Sequence, residues 1–106
     1  MKSSTIYYGI IPLGGSKMND YIINFLKKIM AIDSPSGYTK EVIHYCQKEA
    51  EKLGFQTKKT HKGNLEIYVE GQDDYTVGFC GHVDTLGLMV RSIKSDGTLA
   101  FTNVGG

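Results

Sequence analysis

The sequence predicts a mixed α/β fold, two helices followed by about five strands. Three observations predict it. Apolar residues first recur at spacings of three and four, over two separate stretches. After Gly54 the spacing changes to two. Short runs rich in Gly, Asp and Asn then punctuate the chain.

The first helix is expected from Asn19. Ile22, Phe25, Leu26, Ile29 and Met30 form its apolar stripe, with Lys27 and Lys28 on the other side. Asn19 or Asp20 can cap its start by accepting backbone N–H bonds. Asp33-Ser34-Pro35-Ser36-Gly37 ends it, because Pro35 pushes Ser34 out of the α region. The second helix is expected over Thr39 to Leu53, with Ser36 or Thr39 as cap. Val42, Cys46, Ala50 and Leu53 form its inner face, and Glu41, Lys48, Glu49, Glu51 and Lys52 are solvated. Gly54 sits where a left-handed closing residue belongs.

Phe55 to Thr60 and Leu65 to Glu70 read as strands joined at Lys62-Gly63-Asn64. Gly71-Gln72-Asp73-Asp74 makes the next turn. Tyr75 to Gly81 is a short apolar run, expected as a strand buried on both faces. Gly87 to Lys94 and Thr98 to Val104 flank Ser95-Asp96-Gly97, a hairpin signal because Gly tolerates positive φ.

The bulk numbers narrow the function classes. The chain has 106 residues, enough for one domain, with 41% hydrophobic and 22% charged residues. Lys plus Arg is 12 against 11 for Asp plus Glu, a net charge of +1. No field favours nucleic acid or an anionic membrane, and no basic stripe carries interleaved aromatics. No apolar run is long enough to span a bilayer. Cys46 and Cys80 form no C-x-x-C pair. They could make one disulfide, but the reading adopted is two half-buried thiols in a reducing cytoplasm. Residues 1–18 read as a weak strand or a leader. Pro12 and Gly14-Gly15 interrupt the Ile6 to Ile11 run, and no small-x-small cleavage site follows. Met18 is an alternative start.

Chemistry concentrates in Phe79-Cys80-Gly81-His82-Val83-Asp84-Thr85. An apolar strand runs into Gly81, then a histidine, then an aspartate two residues on. Strand ends in α/β sheets are where ligands gather. A neutral imidazole can donate a lone pair to zinc, and a carboxylate on its other nitrogen fixes the tautomer. In an extended segment i and i+2 share a face, so His82 and Asp84 can point into one cleft, though direct contact needs a bend. One histidine and one carboxylate do not complete a zinc site, which takes three or four ligands. His44 and His61 read as solvated. Ser34 and Ser36 read as helix punctuation rather than nucleophiles, since no G-x-S-x-G is present. Gly105-Gly106 forms neither G-x-G-x-x-G nor a P-loop.

The order of segments carries a resemblance. Ser34-Pro35-Ser36-Gly37 follows one helix, and Gly63-Asn64-Leu65 follows a second helix and a strand. Gly81-His82-Val83-Asp84 comes next, then Leu86-Gly87-Leu88-Met89-Val90, Gly97-Thr98-Leu99-Ala100-Phe101 and Val104-Gly105-Gly106. From about Asn19 to Gly106 this resembles the start of the glutamyl aminopeptidase family. These co-catalytic metallopeptidases include the deblocking and tetrahedral dodecameric aminopeptidases.

The resemblance implies the amino-terminal part of a mixed-sheet, zinc-peptidase-like catalytic domain over 19–106, ending where the family inserts a β domain. His82 matches the first metal-ligand histidine. Asp84 matches the catalytic-site aspartate that supports and orients it. The family's later parts are a bridging aspartate, a Glu-Glu pair, a further carboxylate ligand and a final histidine. Implied cofactors are two divalent metals, zinc or cobalt, in the full-length parent, with at most weak binding by this chain alone. The implied substrate is a peptide, and the implied parent is a cytoplasmic homo-oligomer. Thr85 departs from the family, which usually has Glu there. H-x-D-T is closer to the related carboxypeptidase and deacylase family. A non-catalytic remnant is the third expectation.

Overall fold

The computed structural model describes residues 15–72 and 74–106. In order they form α1 (Gly15–Met30), α2 (Lys40–Lys52), β1 (Gln56–Lys59), β2 (Leu65–Tyr68), β3 (Gly87–Ile93) and β4 (Leu99–Val104). The class is mixed α/β, as expected. The strands pair as two separate antiparallel ribbons, β1 with β2 and β3 with β4. The strand or leader expected before Gly15 lies outside the described residues, as does Asp73 of the third turn.

Helix α1 begins at Gly15 rather than Asn19. Met18 continues the stripe of Ile22, Phe25 and Ile29 backwards at helical spacing, so Asn19 and Asp20 lie inside the helix and do not cap it. Phe25 and Ile29 are half-buried, while Ile22, Leu26 and Met30 stay exposed. Phe25 stacks between Tyr21, at 6.2 Å, and Tyr45 of α2, at 5.9 Å between ring centroids. Those offset rings couple the two helices.

Helix α2 follows the expected span closely. Val42 and Ala50 are buried and Cys46 is half-buried. Leu53 is the correction on this face. It lies just past the helix as its C-cap and is 52% exposed. Glu49 also differs: it is half-buried and ion-paired with Lys52. Thr39 occupies the N-cap position without a side-chain cap bond. Gly54 has φ 86°, the left-handed closing residue expected. A polar knot then fastens α2 to β1. Gln47 Nε2 donates to Glu51 Oε1 at 2.9 Å and to Thr57 Oγ1 at 3.2 Å, and Thr57 Oγ1 donates to the same Glu51 oxygen at 2.9 Å.

The β3–β4 hairpin turns at Gly97, as predicted, and Asp96 closes the turn by accepting from Thr98 N and Oγ1 at 3.0 and 2.7 Å. Its register shifts between Val90 and Ser92, a bulge that leaves Arg91 as the extra residue.

The main correction is Tyr75 to Gly81. No strand forms there, and the run is not buried: Phe79 is 95% exposed, and Tyr75 and Val77 are exposed too. A strand needs a neighbour to complete its ladder. Among the described residues β1 and β2 pair with each other, as do β3 and β4, and neither ribbon takes this segment. Among the described residues the count is therefore four strands, not five. Cys80 is exposed rather than half-buried, and both thiols are free.

Candidate functional site

Residues 81–86 run as irregular backbone, apart from an isolated parallel bridge between Thr85 and Pro35. His82 and Asp84 meet within this stretch. His82 Nδ1 lies 3.1 Å from Asp84 Oδ1 and 3.2 Å from the Asp84 backbone oxygen. Both neighbours are acceptors, so Nδ1 carries the proton. In the neutral form of such a ring the lone pair is on Nε2. The imidazole is open to solvent, with its side chain 85% exposed, whereas the Asp84 side chain is 39% exposed.

The second oxygen of Asp84 is also engaged. Ser36 Oγ donates to Oδ2 at 2.6 Å. That hydroxyl, and then His82, hold the Asp84 carboxyl below its ordinary pKa by stabilising the charged form.

The neighbouring backbone is fastened on both sides of Asp84. Ser34 is 1% exposed, and its Oγ donates to the Val83 carbonyl at 3.0 Å. Thr85 N–H donates to the Ser34 carbonyl at 2.8 Å. Two glycines allow the loop to sit this close. A Cβ on Gly87 would lie 2.6 Å from Pro35 Cβ, and a Cβ on Gly105 would lie 2.9 Å from Ser36 Oγ. Gly105 also has φ +81°, which a larger residue adopts only with strain.

Sequence reasoning placed His82 and Asp84 in one cleft, and the structure brings them into contact. It missed Ser36, Ser34, Gly87 and Gly105 as parts of the same cluster. Pro35 marked the loop, but pairing across 48 residues leaves no local signal. His44 and His61 are exposed, as expected.

An open trough of about 670 Å³ adjoins the cluster. Phe25, Ile43, Cys46, Ala50 and Leu65 line it, and His82 and Asp84 stand on its wall. Among the described residues no three His, Cys, Asp or Glu side chains gather closely enough to hold a metal.

Metal-ligating histidines commonly donate their second ring N–H to a carboxylate in this way. Residues 63–106 match the M42 glutamyl aminopeptidase family. The enzymes of that family are co-catalytic metallopeptidases. The chain is also 38% identical over 85 residues to YhfE of Bacillus subtilis (strain 168), a protein named as a candidate aminopeptidase. That similarity covers 79% of this chain and 25% of the relative, so the chain spans about a quarter of the relative's length.

Proposed function

We propose that a polypeptide containing this chain is a metal-dependent aminopeptidase, removing amino-terminal residues from peptides. His82 is a ligand of its metal centre, and Asp84 orients that ligand. One observation carries the reading: within the family-matched segment, His82 is paired through Nδ1 with Asp84, which leaves Nε2 available as a donor.

The residues present fit part of such a centre. His82 is a nitrogen donor suited to zinc or cobalt, and Asp84 raises its basicity by accepting the Nδ1 proton. They do not fit a whole centre among the described residues. The remaining ligands are assigned to residues other than those described. When bound, a pair of divalent ions would supply Lewis acidity and an activated water for amide hydrolysis. Asp84 keeps the imidazole in one tautomer and one orientation throughout, and it stays ionised because Ser36 and His82 both stabilise its charge.

Thr85 supports a second reading, a carboxypeptidase or deacylase acting with the same metal architecture. The family match favours the first. A cytoplasmic location belongs to the proposal and is supported by the two free thiols. Assembly into a homo-oligomer belongs to it as well.

The test is His82→Ala in the natural polypeptide. Loss of one bound metal and of peptide hydrolysis is the expected outcome. Full metal content with full activity would overturn the assignment. Aminoacyl substrates cleaved in preference to N-acyl substrates would decide for the aminopeptidase over the deacylase.

A further inference from the structure

Each carboxylate oxygen of Asp84 has its own partner: His82 Nδ1 on Oδ1 and the Ser36 hydroxyl on Oδ2. The last torsion of an aspartate is broad and roughly two-fold, so a carboxylate gripped at one oxygen can still rotate. A grip at both oxygens stops that rotation. Ser36 is itself confined. A Cβ on Gly105 would fall 2.9 Å from its hydroxyl, and one on Gly87 would fall 2.6 Å from the adjoining Pro35, so neither position has room for a side chain. Ser34, two residues earlier, is tied to Val83 and to Thr85, the residues on either side of Asp84.

We propose that Ser36 is a positioning residue for the metal-binding histidine. It fixes the Asp84 carboxylate, and the fixed carboxylate holds His82 in the Nδ1–H tautomer with Nε2 presented outward. The inference rests on the reading of His82 as a ligand. The exposed ring has little packing to orient it, so the Asp84 contacts carry that task. The Asp84 backbone oxygen, 3.2 Å from Nδ1, retains part of the tautomer preference when Ser36 is removed. The effect is therefore a mixed tautomer population rather than an inverted one.

The experiment uses the natural polypeptide, metal-free and labelled with ¹⁵N-histidine. The ring nitrogens of His82 are assigned by their loss in His82→Ala. Zinc affinity is measured in parallel by chelator competition. Wild type is expected to show the single Nδ1–H tautomer. Ser36→Ala is expected to show a mixture and to bind zinc about 10- to 100-fold more weakly, the usual cost of losing a partner behind a metal ligand. Ser36→Thr, which keeps the hydroxyl, is expected to restore both.

Three outcomes overturn the inference. The first is a pure tautomer and wild-type affinity in Ser36→Ala. The second is Ser36→Thr behaving like Ser36→Ala. The third is faster exchange of the Thr85 amide in Ser36→Ala with the tautomer unchanged, which marks a purely structural role. Wild-type zinc affinity in His82→Ala overturns the metal reading instead, and the tautomer result then decides the role of Ser36 by itself.

Discussion

Two irregular segments of this chain have opposite fates. The loop Ser34–Gly37 is clamped against Val83–Gly87 by a buried serine, a backbone bridge, a carboxylate hydrogen bond and a close approach that only a glycine at 87 allows. The run Tyr75 to Cys80 is exposed throughout, although its sequence is more apolar. Hydrophobicity alone does not bury a segment. The clamped loop is held by groups that find specific partners far along the chain. The apolar run finds none among the described residues, and burial needs a surface to pack on. The candidate site stands on the first kind of structure, so its geometry does not depend on a large core.

The sharpest way to break the contrast is Gly87→Ala. Its methyl group would sit 2.6 Å from the Pro35 ring, which cannot swing aside as a flexible side chain would. Overpacking of this kind costs about 3 kcal/mol. Denaturant unfolding should register that loss, and exchange of the Thr85 amide should quicken as its bond to Ser34 opens. Stability and exchange equal to wild type would mean the loop is not clamped there.

A smaller effect is expected from Ser34→Ala. It removes the donor to the Val83 carbonyl at a 1%-exposed position. A lost hydrogen bond that leaves its acceptor unpaired costs about 1 to 2 kcal/mol. The same unfolding experiment checks it, and a neutral result would assign the clamp to the backbone alone.

The exposed run should respond least. Phe79→Ser is expected to change stability by no more than about 0.5 kcal/mol, as surface substitutions do. A loss of about 3 kcal/mol or more would show that Phe79 is buried in solution, and the buried-strand expectation would stand after all.

The hairpin turn gives a pH test with a definite sign. Thr98 N–H and Oγ–H bind the charged form of Asp96 and lower its pKa. The unfolded chain therefore takes up a proton before the folded one does. The support is complete above the unfolded-state pKa of about 3.9 and is lost as pH falls through the lower folded value. Amide exchange in the turn should accelerate over that acid range in wild type. In Asp96→Ala the turn should exchange faster near neutral pH, with no such acid dependence.

The sequence by itself determined the local elements. The stripe of α1, the inner positions Val42 and Ala50 of α2, the left-handed Gly54 and the turn at Gly97 all follow from near-neighbour sterics and periodicity, which act over a few residues. It also singled out His82 and Asp84, because an i, i+2 pair needs only a local bend to meet. The tertiary structure decided what depends on distant partners. It denied Tyr75 to Gly81 a sheet, and it turned Ser36 from a helix-ending residue into the second anchor of Asp84. It also gave Gly87 and Gly105 their reason, as places where a Cβ would strike Pro35 or Ser36. Those outcomes rest on contacts between residues about 50 or more apart, and no pattern along one short window encodes which side chain will arrive there.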